Sequence, residues 1–269
     1  MKVIGISAIF ALTLIMGCSS HDELPPPDNP FDPGNPDYVS PNLTIISGPA
    51  LGEIIDNPFV TLVWEGNESA TEYLYKFDSL DWSEWTTITT LTFDYLDEGN
   101  HRFEIKARSV NGEEQLTSTA IDFEVDAVGG PALMFYPRRQ LSLLGEIVTF
   151  QILAEEVIDL MASEMYLDYD PTRLEIISII QGDFFLNQEN SIFIYEVNTA
   201  LGKVQISTTV LDGSLPVVSG TGDLARIQVR LLQAGAAVLE FAGSETFRDQ
   251  ENNDITILEK INGLVEVDW

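Results

Sequence analysis

Cys18 carries the most pointed chemistry in this sequence, because it is the one cysteine among 269 residues. It closes the run Leu12-Thr13-Leu14-Ile15-Met16-Gly17 and opens the polar stretch Ser19-Ser20-His21-Asp22-Glu23. A thiol at such a hinge is placed for covalent modification. With no second thiol, an intrachain disulfide is impossible, and oxidative cross-links contribute nothing to folding. Other reactive constellations are missing. The two histidines are His21 and His101, so neither a Ser-His-Asp arrangement nor a metal cluster of histidine and cysteine can be assembled. Carboxylates are plentiful, yet none form a pair that can be assigned to glycoside hydrolysis. Asp249-Gln250-Glu251-Asn252-Asn253-Asp254 looks like a calcium loop but has aspartate at its sixth position and Lys260 at its twelfth, where an EF-hand needs glycine and glutamate. No glycine-rich phosphate loop opens a helix. The chain is therefore read as a non-enzyme with no metal and no cofactor of its own.

The segment before Cys18 has one positive charge, Lys2, then an apolar run to Met16 with no acidic residue. A membrane span needs about 20 apolar residues, and this run is shorter and ends in small residues. Its layout is that of a secretory signal peptide over residues 1–17. Leu14-Ile15-Met16-Gly17-Cys18 further resembles the bacterial lipobox. That resemblance implies diacylglyceryl transfer to the Cys18 thiol, cleavage just before it, and anchorage by acyl chains. Two or more chains hold stably where a single chain holds only marginally. The expected location is the bacterial cell envelope, at the outer membrane or cell surface.

The formal charge is −30, from 13 basic and 43 acidic residues. Loss of residues 1–17 removes only Lys2 and leaves 12 basic residues against 43 acidic ones, −31. Such a surface repels phosphate backbones and anionic headgroups, so nucleic acid is excluded as a partner and membrane attachment falls to the lipid. At 45% hydrophobic and 10% aromatic residues, the chain has enough apolar surface for real cores.

Residues 18–41 contain DELPPPDNPFDPGNPDYVSP, where proline and its effect on the preceding residue favour an extended, semi-rigid tether. Residues 42–127 change to short β-branched and aromatic runs separated by turn residues. Strands are expected at 43–46, 59–64, 72–77, 85–89, 101–109 and 120–125. Arg102-Phe103-Glu104-Ile105-Lys106-Ala107-Arg108 alternates strictly, as a half-buried strand does. About seven strands in this length suggest a β-sandwich of immunoglobulin or fibronectin III type. Tyr73-Leu74-Tyr75-Lys76, Trp82, Trp85 and Arg108-Ser109-Val110-Asn111-Gly112 resemble the triple-tyrosine and fibronectin-like modules of bacterial extracellular proteins. Trp64, Trp82 and Trp85 are read either as one core cluster or as a flat platform for a sugar ring.

Val128-Gly129-Gly130-Pro131 breaks the chain, and residues 131–269 are again rich in strands. They are expected at 132–136, 147–153, 163–169, 174–179, 192–195, 204–209, 224–231, 237–241 and 261–267. This reads as an all-β, jelly-roll-like sandwich. Its ordered features are Gly145-Glu146-Ile147-Val148-Thr149-Phe150, the run from Glu164 through Tyr169-Asp170-Pro171-Thr172-Arg173-Leu174, Gly182-Asp183-Phe184-Phe185, and Ser219-Gly220-Thr221-Gly222 before Leu224. In this order and spacing they resemble the cohesin domain over nearly the whole module.

The resemblance implies binding of dockerins, calcium-loaded helical modules of secreted proteins, through outward residues of one sheet. Calcium then belongs to the partner. Independently of the resemblance, alternation places Glu164, Tyr166 and Asp168 on one face of their strand, with Met165, Leu167 and Tyr169 on the other. In the next pairing candidate, Gln205 and Ser207 face outward while Val204 and Ile206 face inward, a parity that a one-residue slip reverses. Leu211, Asp212 and Gly213 complete the candidate surface at the adjoining loop. Asp170 caps the turn, Pro171 presets its φ, and Leu174 returns to the core. Gly220 and Gly222 are read as supplying backbone freedom before the Leu224 strand. Two rival readings are a carbohydrate-binding surface protein on the related sandwich, with polysaccharide as partner, and a structural or adhesive envelope protein.

Overall fold

A computed structural model describes residues 29, 32, 34–185, 191–211 and 217–267. Among these there is no α-helix, and strands in four sheets build two successive β-sandwiches. Cys18, the signal-peptide region, most of the tether, Asp212 and Gly213 lie outside the described residues.

The first sandwich contains β1 (Leu43–Ser47), β2 (Ile54–Ile55), β3 (Val60–Gly66), β4 (Glu72–Phe77), β5 (Thr90–Phe93), β6 (Gly99–Arg108) and β7 (Thr119–Val125). A three-stranded sheet in the order β1-β3-β5 faces a four-stranded sheet in the order β2-β7-β6-β4. Period-two alternation decides what lies between them: Leu62 and Trp64 from β3, and Phe103, Ile105 and Ala107 from β6, are buried. Each large apolar side chain taken out of water there stabilises the sandwich by about 1.5–3 kcal/mol. The strand expected at 85–89 is instead an extended segment that touches β4 through one bridge, Tyr73 to Thr86, and the true strand starts at Thr90. Threonines run through both segments, so β-propensity alone does not fix the boundary. The last tether residues pack onto this sandwich: the Tyr38 hydroxyl donates to Glu113, and the Asn67 side chain donates to the Ser40 carbonyl at 2.8 Å.

The three tryptophans do not form one cluster. Trp64 is 1% exposed and meets Tyr73 edge-on, with centroids 6.0 Å apart. Trp82 is 37% exposed on the far side of the four-stranded sheet, against Lys76 and Lys106. Trp85 lies against Arg108 on that side, 4.4 Å from guanidinium carbon to ring centre.

The second sandwich contains β8 (Ala132–Tyr136), β9 (Arg139–Ser142), β10 (Ile147–Leu160), β11 (Ala162–Tyr169), β12 (Leu174–Gln181), β13 (Ser191–Asn198), β14 (Lys203–Val210), β15 (Val218–Leu231), β16 (Ala237–Phe241), β17 (Thr246–Arg248), β18 (Glu259–Ile261) and β19 (Gly263–Val267). One sheet runs β12-β15-β10-β8-β18. The other runs β13-β14-β11-β16-β19-β9, with β17 also on β11. Phe150, Ile152, Met165, Leu167, Ile206, Leu224, Ile227 and Leu239 fill the space between them.

β10 and β15 are longer than expected because bulges let them bend without ending. Their register shifts near Val157 and Gly220, where Glu156 and Asp159 take positive φ values of 50° and 54°. Gly220, at φ 102°, uses its conformational freedom within that bulge. Gly222 does something else: the Phe184 ring packs against its Cα, so a side chain there would collide. Both glycines therefore lie inside β15, where the sequence suggested a turn leading into it.

The two sandwiches meet at the turn 94–98 and the start of β9. The Arg138 backbone N–H donates to Asp97 Oδ1 at 2.6 Å, and its buried guanidinium pairs with Glu98. Arg139 reaches Asp94 at 3.0 Å and Glu266 at 2.6 Å while lying over the Tyr95 ring.

Candidate interaction face

β11 supplies the centre of the candidate surface. Met165, Leu167 and Tyr169 are buried, while Glu164, Tyr166 and Asp168 sit half-exposed on the outer side, as alternation requires. β14 pairs antiparallel with it, so that Glu164 stands opposite Ser207, Tyr166 opposite Gln205, and Asp168 opposite Lys203. Gln205 and Ser207 thus share the outer face with the β11 residues. Val204 and Ile206 point inward.

The turn that ends β11 is built as its residues suggest. Asp170 Oδ1 accepts from the Thr172 amide at 2.8 Å and from its hydroxyl at 2.7 Å. Those bonds hold the Asp170 carboxyl below its ordinary pKa. The Leu174 amide donates to the Asp170 carbonyl at 2.9 Å, and the leucine side chain enters the core.

Several polar groups on the face are already partnered. Gln205 Nε2 donates to Glu164 Oε1 at 2.7 Å, and Lys203 Nζ meets Asp168 Oδ1 at 2.7 Å. The Tyr166 hydroxyl is held above the ordinary phenol pKa, first by its hydrogen bond to Glu164 and then by slight desolvation. These cross-strand contacts brace β11 against β14 and leave fewer charges free than the sequence implies.

The unpartnered apolar surface comes from β13, at the sheet edge. Ile194 stands opposite Ser207 and is 61% exposed, with exposed Ile192 opposite Thr209 on the same side; Tyr195, opposite the inward-facing Ile206, turns its ring to the other side, 6.2 Å from that of Phe193. Ile194, Glu196, Gln205 and Ser207 line a shallow depression of about 210 Å³ on the outer face. On the other flank Glu240 of β16 stands opposite Asp168. Glu196 lines this notch, and Glu164 shares the cross-strand row of Ile194 and Ser207. Leu211 is exposed just beyond β14 and outside the lining of this notch.

The residues missing from the sequence reading are Ile192, Ile194, Glu196, Lys203 and Glu240. Lys203 and Glu240 follow from parity with Gln205 and Asp168 once the strand order is known. Ile192-Phe193-Ile194-Tyr195 is an uninterrupted apolar run, and periodicity cannot assign sides to it. Among the described residues, no group of three or more His, Cys, Asp or Glu converges as a metal site. In the loop after β17, Asp249 is instead capped by the amide of Asn253 at 2.7 Å and by its side chain at 2.9 Å.

Residues 143–267 match the family model of the cohesin domain. This C-terminal module is a cohesin domain. Among solved structures, the chain is similar to the sixth cohesin of scaffoldin B from Acetivibrio cellulolyticus, solved with a Cel5 dockerin mutant. The identity is 20%, the TM-score 0.46, and the match covers 52% of this chain and 100% of that one. It is similar to a type I cohesin–dockerin complex from Clostridium thermocellum at 17% identity, TM-score 0.45, covering 51% and 98%. A non-cellulosomal cohesin from the archaeon Archaeoglobus fulgidus matches at 18% identity, TM-score 0.42, covering 51% and 91%. No curated protein matches the chain. Cohesin domains are protein–protein interaction modules and not catalysts.

Proposed function

We propose that the cohesin domain binds dockerin-bearing secreted proteins through the outer face of β13, β14, β11 and β16. The first sandwich acts as a spacer, and acylated Cys18 holds the chain at the cell envelope. One observation carries this reading: within an internally braced sheet, Ile192 and Ile194 are left bare on the outer side of the edge strand, Ile194 beside Ser207 with Glu196 and Glu164 bordering it. An apolar centre with a charged rim is the anatomy of a binding hot spot, and the rim suits a helix that offers lysine or arginine. Docking needs no chemistry on this side, and calcium belongs to the partner.

Calorimetric titration of residues 19–269 with dockerins from the same genome, with and without a chelator, tests this. Calcium-dependent binding lost in Tyr166→Ala or Ile194→Asp supports it. Absence of heat with every dockerin, together with retention on a polysaccharide, would transfer the function to the carbohydrate-binding alternative.

A further inference from the structure

His101 is buried in β6 of the first sandwich, yet both of its ring nitrogens are engaged. Nδ1 lies 2.8 Å from Asp78 Oδ2, and Nε2 lies 2.9 Å from the Asp97 carbonyl oxygen. Both partners are acceptors, so both nitrogens must donate, and only the imidazolium can do that. Asp78 is arranged to accept: its other oxygen takes the Arg102 amide at 2.8 Å. The ring itself is clamped between Phe77 and Phe123, with centroids 5.3 and 5.6 Å away.

Asp97 belongs to the turn that grips the second sandwich. Its carbonyl accepts from His101, its carboxylate accepts from the Arg138 amide, and the next residue, Glu98, pairs with the Arg138 side chain. Tyr95 and Asp94 in the same turn hold Arg139.

We propose that His101 is a pH-dependent latch on the joint between the two sandwiches, closed when the imidazole carries both protons. The charged groups that face it are Asp78 from the end of β4 and Asp97 from the turn, with Arg138 of the second sandwich beyond Asp97. From β7 the Phe123 ring stands opposite it. On losing a proton, the imidazole keeps the one nearest the Asp78 charge, and the donor to the Asp97 carbonyl disappears. Burial, the largest influence, pulls the His101 pKa down; the bonds to Asp78 and Asp97 and the charge of both carboxylates outweigh it, and the net shift is upward from 6.5. The sign follows from linkage. The contribution is complete below the ordinary histidine range and fades as pH rises through the raised value, so alkaline conditions loosen the joint. A looser joint changes how the cohesin domain is presented relative to its spacer.

The test uses the full two-sandwich chain. Proton–carbon NMR of the His101 ring gives its midpoint, with His21→Ala removing the other histidine signal. Nitrogen-15 relaxation at each pH reports whether the two sandwiches tumble as one body. The expected result is a midpoint above 6.5, with a shared tumbling time below it that separates into two above it. Arg138→Ala is expected to separate the tumbling times at every pH. A midpoint at or below 6.5, a joint unchanged through the midpoint, or an Arg138→Ala chain that still tumbles as one body would each overturn the proposal. The wild-type titration decides the matter even if a variant fails to fold.

Discussion

The outer face of β4 and β6 in the first sandwich and the outer face of β13, β14 and β11 in the second dispose of their surface groups in opposite ways. All four basic residues of segment 42–127, Lys76, Arg102, Lys106 and Arg108, lie on the first of these faces. Three of them are spent on Glu104, Asp122 and Glu72, at 3.0, 2.8 and 2.7 Å. Trp82 lies 5.3 and 5.6 Å from the Lys76 and Lys106 ammonium groups, and Trp85 lies against Arg108. Apolar rings and cations there satisfy one another. The cohesin face pairs Glu164 and Asp168 internally but leaves Ile192 and Ile194 exposed on its edge strand. A face that satisfies itself has little to gain from a partner, and one that leaves an apolar notch beside polar groups has more.

Leu167→Ala removes a fully buried side chain directly behind Tyr166, and a loss of about 2–5 kcal/mol is expected in urea or thermal unfolding of the second sandwich. Ile194→Asp is expected to leave that stability almost unchanged. By calorimetry it should weaken dockerin binding about tenfold to a hundredfold, because it places a charge at the apolar centre. Trp85→Ala should invert this pattern, costing the first sandwich about 0.5–2 kcal/mol in its melting transition and leaving dockerin affinity intact. The smallest effect concerns acid. The Lys76 hydrogen bond, ahead of other influences, holds Glu104 below its ordinary pKa. The sign is therefore that of a depressed carboxylate: its pairing is present above the ordinary glutamate range and is lost as pH falls through the lowered value. Carboxyl NMR of Glu104 should show a midpoint below 4.5, and Lys76→Ala should return it toward that value.

The outward side of β11 was legible because the strand obeys a strict period of two. Glu164, Tyr166 and Asp168 are separated by side chains that could only be core, and Asp170-Pro171 fixes where the alternation ends. The partnering of those residues was not legible, since Gln205 and Lys203 reach them from 41 and 35 positions away through strand register. Ile194 hid within a run apolar on both sides. Gly222 was misread because a glycine that makes room for a ring, here Phe184, cannot be told in sequence from one that supplies a turn. Trp82 and Trp85 sit near Trp64 in sequence pattern, but a sheet separates them, with Trp64 on its inner side.

The most direct test of the docking face is a footprint. Amide shifts of the nitrogen-15-labelled chain would be followed while a calcium-loaded dockerin from the same genome is added. The account predicts perturbations concentrated on Ile194 to Glu196, Lys203 to Ser207, Glu164 to Asp168 and Glu240, with the Trp82 face silent. Perturbations confined to the opposite sheet around Arg226 and Arg230, or to the Trp82 face, would contradict it.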